Sequence, residues 1–188
     1  MTEQQTVDAL AEAAVAEIQS GMTVGLGTGR TAARGVAALG ERVKAEQLDI
    51  ACVCTSHATE SLARFHGLPV RDFAMCESVD FLFDGADEVD PQLGMLKGYG
   101  GAMARERMVA WASERCVYMV DESKVVDRLC TNKTLPIAVM AFGVASIRAG
   151  LRELGLHSVV RRTMQGQLFL TDNGNLIVDV KPEDDTDL

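Results

Sequence analysis

The sequence predicts an α/β protein, with a doubly wound parallel sheet followed by a second, smaller α+β domain. Short apolar segments alternate with stretches of helical periodicity through the first part of the chain, and glycine-rich or acidic turns follow several of the apolar segments. From about residue 135 the pattern changes, and strands come to outnumber helices. Repeated strand, turn and helix is the pattern of a parallel sheet covered by helices on both faces.

The first domain is expected to span residues 1–134. Its first helix is predicted by apolar residues at helical spacing and a stop at Ser20-Gly21, and Thr55-Ser56 is expected to cap the third. The predicted helices are 5–19, 31–46, 57–65 and 101–114, and the predicted strands are 22–26, 50–54, 69–71, 79–83 and 116–120.

The second domain is expected to span residues 135–188. We predict a strand over 135–140, a helix over 144–154, a strand over 158–163, and a hairpin of 167–171 with 175–180. The hairpin turn Asp-Asn-Gly-Asn suits positive φ angles. Strand–helix–strand–strand is most of a split βαβ unit. A ferredoxin-like domain needs a further helix and strand, so the chain is expected to end before this domain is closed.

Composition excludes several classes of protein. The 188 residues carry a formal net charge of −9, which argues against partners with phosphate backbones or anionic lipid surfaces, so neither a nucleic acid nor a membrane is an expected partner. No apolar run reaches the length of a membrane span, and the N-terminus lacks the pattern of a signal peptide. The five cysteines form no CxxC pair, which favours reduced buried thiols in the cytoplasm and disfavours zinc.

Three segments carry candidate chemistry. Residues 25–31 place glycines between a strand and a helix, so their backbone N–H groups are suited to phosphate, although a plain tight turn fits as well. Residues 84–90 place four carboxylates at the end of an apolar strand, where the ligand crevice of such sheets lies; an acidic surface turn is the alternative. Lys97 precedes a glycine-rich turn, and Glu106 follows in a helix, where a solvated glutamate is the ordinary alternative.

Together these segments resemble ribose-5-phosphate isomerase of type A. The resemblance rests on GLGTGRTA at 25–32, FDGADEVD at 83–90, LKGYGGAMARER at 96–107, VDESK at 120–124 and TDNGN at 171–175. It implies a Rossmann-like domain with a small α+β domain, no metal or organic cofactor, a sugar-phosphate substrate, and a homodimer or homotetramer. The implied reaction interconverts ribose 5-phosphate and ribulose 5-phosphate in the pentose phosphate pathway.

The resemblance also implies roles for individual residues. Glu106 matches the general base, and Asp84, Asp87 and Lys97 match the catalytic sugar contacts. The residues that match substrate-binding positions are Thr28, Gly29, Arg30, Thr31, Asp84, Gly85, Ala86, Asp87, Lys97, Gly98, Tyr99, Gly100 and Lys124.

Four positions depart from the family pattern. Val7 stands where a phosphate-binding lysine is usual, and Arg30 stands in place of a serine. His57 stands in place of an aspartate, and Tyr99 stands in place of a glycine. We interpret Arg30 as restoring the charge that is lost at position 7. Two alternatives stay open: a catalytically silent sugar-phosphate sensor, and an isomerase of a different sugar phosphate.

Overall fold

A computed structural model describes residues 8–182, which pack as two compact units. The first unit comprises the described residues up to Gly85 together with Arg105–Met119, and the second comprises Ala86–Ala104 together with the described residues from Val120. Each unit contains two separate segments of the chain, whereas the sequence predicts a single boundary after residue 134. As a boundary between domains, residue 134 stays a prediction.

Nine strands and five α-helices are present within residues 8–182. The strands are β1 (Thr23–Leu26), β2 (Ala51–Cys54), β3 (Val79–Gly85), β4 (Glu88–Val89), β5 (Met95–Leu96), β6 (Ser113–Met119), β7 (Leu135–Val139), β8 (His157–Val160) and β9 (Leu176–Lys181). The helices are α1 (Ala9–Val15), α2 (Arg30–Glu46), α3 (His57–Phe65), α4 (Ala104–Trp111) and α5 (Val144–Glu153). None of the helices in these residues is long and apolar enough to cross a membrane.

The first unit is built on a four-stranded parallel sheet in the order β2-β1-β3-β6. One face packs against α1, α2 and α3 through a core that includes Ile18, Leu39 and Phe83. The other face packs against α4 through Leu82 and Val109. The strand order reverses at β1 and β3, so their carboxyl ends flank the crevice where ligands bind in open sheets of this type.

An ion pair links the first two helices. Asp8 caps α1 by accepting a hydrogen bond from the Ala11 N–H, and Arg34 of α2 donates to both Asp8 carboxylate oxygens at 2.5 and 2.7 Å. The Arg34 guanidinium is the main cause that lowers the pKa of Asp8 to about 2. Both side chains are partly exposed, so the pair fixes the position of α1 more than it adds stability.

The second unit holds two antiparallel sheets. β4 and β5 form a short hairpin, and the three-stranded sheet has the order β7-β9-β8. Because β7 and β8 both pair antiparallel with β9, they run parallel to each other, and α5 connects them. This is the split βαβ arrangement that the sequence predicts.

Four predicted elements differ most from the structure. Residues 69–71 form a single bridge from Val70 to Cys52, because the Asp72 side chain immediately caps a 3-10 turn. The helix predicted over 101–114 begins only at Ala104, since Gly101 and Met103 have positive φ angles of 88° and 33° that an α-helix excludes. Ser113 already belongs to β6.

The other two differences lie near the ends of the described chain. Residues 167–171 form isolated bridges in place of the first hairpin strand. The helix predicted over 5–19 spans Ala9–Val15, and residues 5–7 of that prediction lie outside the described residues.

Candidate active site

The loop from β1 to α2 lies at the carboxyl edge of the parallel sheet. Gly27 passes so close to Asp84 that a Cβ at this position would collide with the carboxylate. Gly29, with φ of 103°, is the N-cap residue of α2 and has no side chain with which to cap that helix. Gly29 and Arg30 are exposed and Thr31 is half-buried. The first N–H groups of α2 are therefore suited to an anion.

Four hydroxyl groups meet beneath this loop. The Thr28 hydroxyl lies 2.7 Å from that of Thr55, 2.8 Å from that of Ser56 and 3.2 Å from that of Thr59. The Thr55 and Thr59 hydroxyls donate to the carbonyls of residues 26 and 27. Ser56 is the N-cap of α3, as predicted, and the whole group joins the loop to the adjacent strand and helix. Sequence analysis did not identify Thr59, because a threonine inside a predicted helix gives no local signal of a contact with a distant loop.

Asp84 is buried at the end of β3, with 1% of its surface exposed. Its Oδ1 accepts hydrogen bonds from the N–H groups of Thr28 at 3.1 Å and Gly85 at 2.7 Å. The Thr28 contact joins the loop after β1 to the loop after β3. The structure thus brings together two predicted site residues that are 56 positions apart in sequence.

Glu106 lies in the first turn of α4 and is 7% exposed. Because α4 leads directly into β6, the helix runs opposite to the strands, and its first turn lies at their carboxyl edge. Val109, one turn later on the same helical face, packs over the sheet, where a Cβ on Gly25 would meet its side chain at 2.9 Å. Glu106 therefore lies at the edge of the sheet that also carries Thr28 and Asp84. The alternative of a solvated helix glutamate is excluded by its burial.

The remaining acidic residues of 84–90 also accept backbone hydrogen bonds. Asp87 Oδ2 accepts from the Tyr99 N–H at 2.9 Å, and Asp90 Oδ1 accepts from the N–H groups of Gln92 at 3.0 Å and Gly94 at 2.7 Å. Residues 8–182 contain no group of three His, Cys, Asp or Glu side chains arranged to hold a metal ion.

Glu88 is a structural carboxylate that sequence analysis did not single out. It is 1% exposed and accepts hydrogen bonds from the N–H groups of Cys130 at 2.5 Å, Asn132 at 2.6 Å and Lys133 at 2.8 Å. The bonds fix the 130–133 segment to β4. The available sequence signal was the apolar neighbour Val89, which indicates that this segment is partly buried. A glutamate buried there needs hydrogen-bond donors for its carboxylate.

Lys97 and the glycine-rich turn follow β5. Lys97 is half-buried and Gly98 is buried, whereas Tyr99 and Gly100 are exposed. At Gly101, where φ is 88°, a Cβ would lie 2.6 Å from the Phe169 ring, so only glycine fits. Lys124 ends a 3-10 turn over Glu122–Lys124 and is half-buried. Gly85 and Ala86, at the end of β3, are also half-buried.

The predicted site residues therefore form two groups, each within one unit. The first unit holds Thr28, Gly29, Arg30, Thr31, Asp84, Gly85 and Glu106. The second unit holds Ala86, Asp87, Lys97, Gly98, Tyr99, Gly100 and Lys124. Direct hydrogen bonds join Thr28 to Asp84 in the first group and Asp87 to Tyr99 in the second.

Comparison with known sequences identifies the family. Residues 51–188 match the family described as ribose 5-phosphate isomerase A (phosphoriboisomerase A). The chain is 44% identical over 175 residues to ribose-5-phosphate isomerase A of Chlamydia trachomatis, an alignment that covers 93% of this chain and 72% of that protein.

Solved structures agree with this assignment. Ribose 5-phosphate isomerase A from Methanocaldococcus jannaschii superposes with a TM-score of 0.89 at 35% identity, over 94% of this chain and 79% of that one. A D-ribose-5-phosphate isomerase in complex with phospho-erythronic acid has the same TM-score, identity and coverage. With the family model matching most of the chain and a relative at 44% identity, this chain belongs to the ribose-5-phosphate isomerase A family.

Proposed function

We propose that this chain is an aldose–ketose isomerase that interconverts D-ribose 5-phosphate and D-ribulose 5-phosphate in the pentose phosphate pathway. The observation that carries the proposal is the buried carboxylate of Glu106, in the first turn of α4 at the carboxyl edge of the parallel sheet. Aldose–ketose exchange requires one base that is shielded from water and held close to an anchored substrate.

Glu106 is the proposed base. In the open-chain aldose, its carboxylate removes the proton from C2, and the electron pair forms the C1–C2 double bond of an enediolate while the C1 carbonyl becomes the oxyanion. The same group then returns the proton to C1. Transfer of the O2 proton to O1 leaves a C2 carbonyl, so no atom or electron is gained or lost.

Lys97 and the N–H groups of its turn are the proposed partners of the developing oxyanion. Fixed donors of this kind stabilise negative charge that appears only during the reaction, and they act most strongly where water is excluded. Asp84 and Asp87 are proposed to accept hydrogen bonds from sugar hydroxyls and to assist ring opening. Each carboxylate already receives at least one backbone N–H, which fixes its orientation.

The substrate phosphate is proposed to bind at the start of α2. Its uncapped N–H groups, Thr31 and the exposed Arg30 side chain supply donors and positive charge there, and Lys124 is a further proposed contact. Thr28 is proposed to orient the loop around the substrate, because its hydroxyl contacts three others and its N–H donates to Asp84.

Several finer features belong to the same proposal. We infer that the parallel sheet belongs to a Rossmann-like doubly wound domain and that the β7-β9-β8 sheet belongs to a ferredoxin-like domain. We also infer a homodimer or homotetramer that works in the cytoplasm without a cofactor. The parallel sheet with helices on both faces and the split βαβ arrangement support the two fold assignments.

Isomerase assays on the purified 188-residue chain test this function. Ribose 5-phosphate should be converted to ribulose 5-phosphate, and ribulose 5-phosphate back to the aldose. Tight binding of ribose 5-phosphate without conversion would favour the silent sensor. Faster conversion of another aldose phosphate would favour an isomerase of that sugar.

A further inference from the structure

Tyr99, at the centre of the Lys97–Gly101 turn, is contacted by two cations at its ring and by hydrogen bonds at its backbone N–H and carbonyl. Lys133 Nζ and Arg161 Cζ each lie 4.7 Å from the ring centroid. The Tyr99 N–H donates to Asp87 Oδ2 at 2.9 Å, and its carbonyl accepts from Arg161 Nη1 at 2.6 Å. Two cations on one aromatic ring, together with these backbone bonds, oppose movement of the turn.

Arg161 is itself rigidly held. Its Nε donates to Asp179 Oδ2 at 2.8 Å and its Nη2 to Asp179 Oδ1 at 2.5 Å, and the two side chains are only 13% and 18% exposed. Asp179 lies on β9, the central strand of its sheet. A bidentate pair of this kind fixes the plane of the guanidinium as well as its position.

Lys133 is also held in place, through its backbone. Its backbone N–H donates to the buried carboxylate of Glu88, which also binds the N–H groups of Cys130 and Asn132. The cation that covers one face of the Tyr99 ring therefore extends from a segment that is fixed to β4.

We propose that Arg161, oriented by Asp179, is a positioning residue that acts through Tyr99 to hold the Lys97–Gly101 turn in its reactive geometry. This inference rests on the proposed function, because Lys97 and the N–H groups of that turn are the proposed oxyanion donors. Glycine-rich turns are intrinsically mobile, and oxyanion donors are effective only when they are held in place before the reaction. Tyr99, which stands where the family usually has glycine, provides a ring on which cations can hold the turn.

Four variants of the full chain test the proposal: Arg161→Gln, Arg161→Lys, Tyr99→Leu and, as a matched control, Arg162→Gln. Arg162 is the exposed neighbour of Arg161, and its side chain donates to the carbonyl of Gly166. Tyr99→Leu keeps the Arg161–Asp179 pair, so it tests the turn even if Arg161→Gln fails to fold. Steady-state kinetics with ribose 5-phosphate and amide hydrogen exchange over residues 97–101 are measured well below the melting temperature of each variant.

We expect Arg161→Gln and Tyr99→Leu to lower kcat about 10- to 100-fold, with KM changed less than about threefold, because misplaced donors chiefly affect the transition state. Amide exchange across the turn should rise at least about tenfold in both variants. Arg161→Lys should recover part of the kcat, and Arg162→Gln should match the wild type in both measurements.

Unchanged exchange in a folded Tyr99→Leu variant would overturn the proposal. A rise in KM with unchanged kcat would also overturn it, because that pattern indicates direct contact of Tyr99 with the substrate. Wild-type protein that does not isomerise ribose 5-phosphate would contradict the proposed function instead, and amide exchange would then decide whether Arg161 holds the turn.

Discussion

In the acidic segment 84–90, each carboxylate accepts hydrogen bonds from different backbone N–H groups. Asp84 binds the loop after β1, Asp87 binds the glycine-rich turn, Glu88 binds the 130–133 segment, and Asp90 closes its own turn. Separate donors offset the repulsion expected among four acids in seven residues. The sequence interpretation was that Asp84 and Asp87 face the ligand crevice; Asp84 is buried at the end of β3, and the orientation of both toward a ligand stays a prediction.

Glu88→Gln should destabilise the protein without removing any proposed catalytic group. The glutamine keeps the shape of the side chain but loses the negative charge, and its amide can present an N–H toward backbone donors. Hydrogen bonds to charged groups contribute about 1.5–3 kcal/mol, so we expect the free energy of unfolding to fall by at least about 2 kcal/mol. Urea unfolding followed by circular dichroism measures the change. An exposed control, Glu114→Gln, should lie within about 0.5 kcal/mol of the wild type, and an equal result for Glu88→Gln would contradict its anchoring role.

Arg30→Ser should raise the KM for ribose 5-phosphate. Arg30 is the exposed first residue of α2, and within residues 8–182 its side chain has no hydrogen bond or ion pair, so its charge is available to a phosphate. A charge-assisted hydrogen bond of about 1.5–3 kcal/mol corresponds to a rise of about ten- to a hundredfold. Steady-state kinetics with ribose 5-phosphate measure the effect.

A second substitution tests whether Arg30 compensates for a missing lysine. Val7 lies outside the described residues, but Val7→Lys added to Arg30→Ser should recover part of the lost affinity, because either cation would serve the same phosphate. If Arg30→Ser leaves KM within about twofold, Arg30 is an ordinary surface cation, and the phosphate is held by backbone N–H groups, Thr31 and Lys124.

Among the elements, the regular helices and strands of the parallel sheet were predictable because burial and periodicity determine them. β1, β2 and α3 lie within one residue of their predicted bounds, and the Ser56 cap was predicted. The β4–β5 hairpin was not predicted, since two-residue strands show no periodicity and this one depends on the Asp90 turn. The start of α4 was missed because the positive φ of Met103 is imposed by the fold and not by residue type.

β2 carries two thiols that should make the protein sensitive to alkali. Burial is the main cause that raises the pKa of Cys52 and of Cys54 from an ordinary 9.0 to about 12. Between about pH 9 and pH 12 the unfolded chain releases these protons while the folded chain keeps them, so the free energy of unfolding falls as pH rises. Urea unfolding at several pH values from 8 upward measures this slope.

Cys52→Ala/Cys54→Ala is the matched variant for that experiment. Its free energy of unfolding should be lower at pH 8, because buried side chains are lost, but should fall less steeply with pH than that of the wild type. Equal slopes in the two proteins would show that both thiols ionise alike in the folded and unfolded chains.

For the whole molecule, catalysis is expected to be independent of metal. The acidic residues 84–90 bind backbone N–H groups, and the described residues contain no three-carboxylate or mixed cluster arranged for a cation. Activity should therefore survive exhaustive EDTA treatment, with kcat within about twofold of the untreated enzyme. Inactivation by EDTA with rescue by Mg²⁺ or Mn²⁺ would mean that the acidic residues hold a cation during the reaction.

The candidate site was predictable from sequence to the extent that its residues belong to short contiguous motifs. Glu106, Asp84 and the loop after β1 are such residues, and the first unit places all of them at one edge of its sheet. Arg161, Asp179 and Glu88 were not identified, because their partners lie 18 to 62 residues away and no local pattern connects them. Long-range positioning is a property of the folded chain.

The rate of ribose 5-phosphate isomerisation by Glu106→Gln tests the central claim most directly. Glutamine keeps the size and hydrogen bonding of the side chain but does not accept the C2 proton, so kcat should fall about 10²- to 10⁴-fold while KM stays near the wild-type value. Glu114→Gln, an exposed glutamate of β6, should keep full activity. A Glu106→Gln variant that turns over ribose 5-phosphate at nearly the wild-type rate would contradict the assignment of Glu106 as the base.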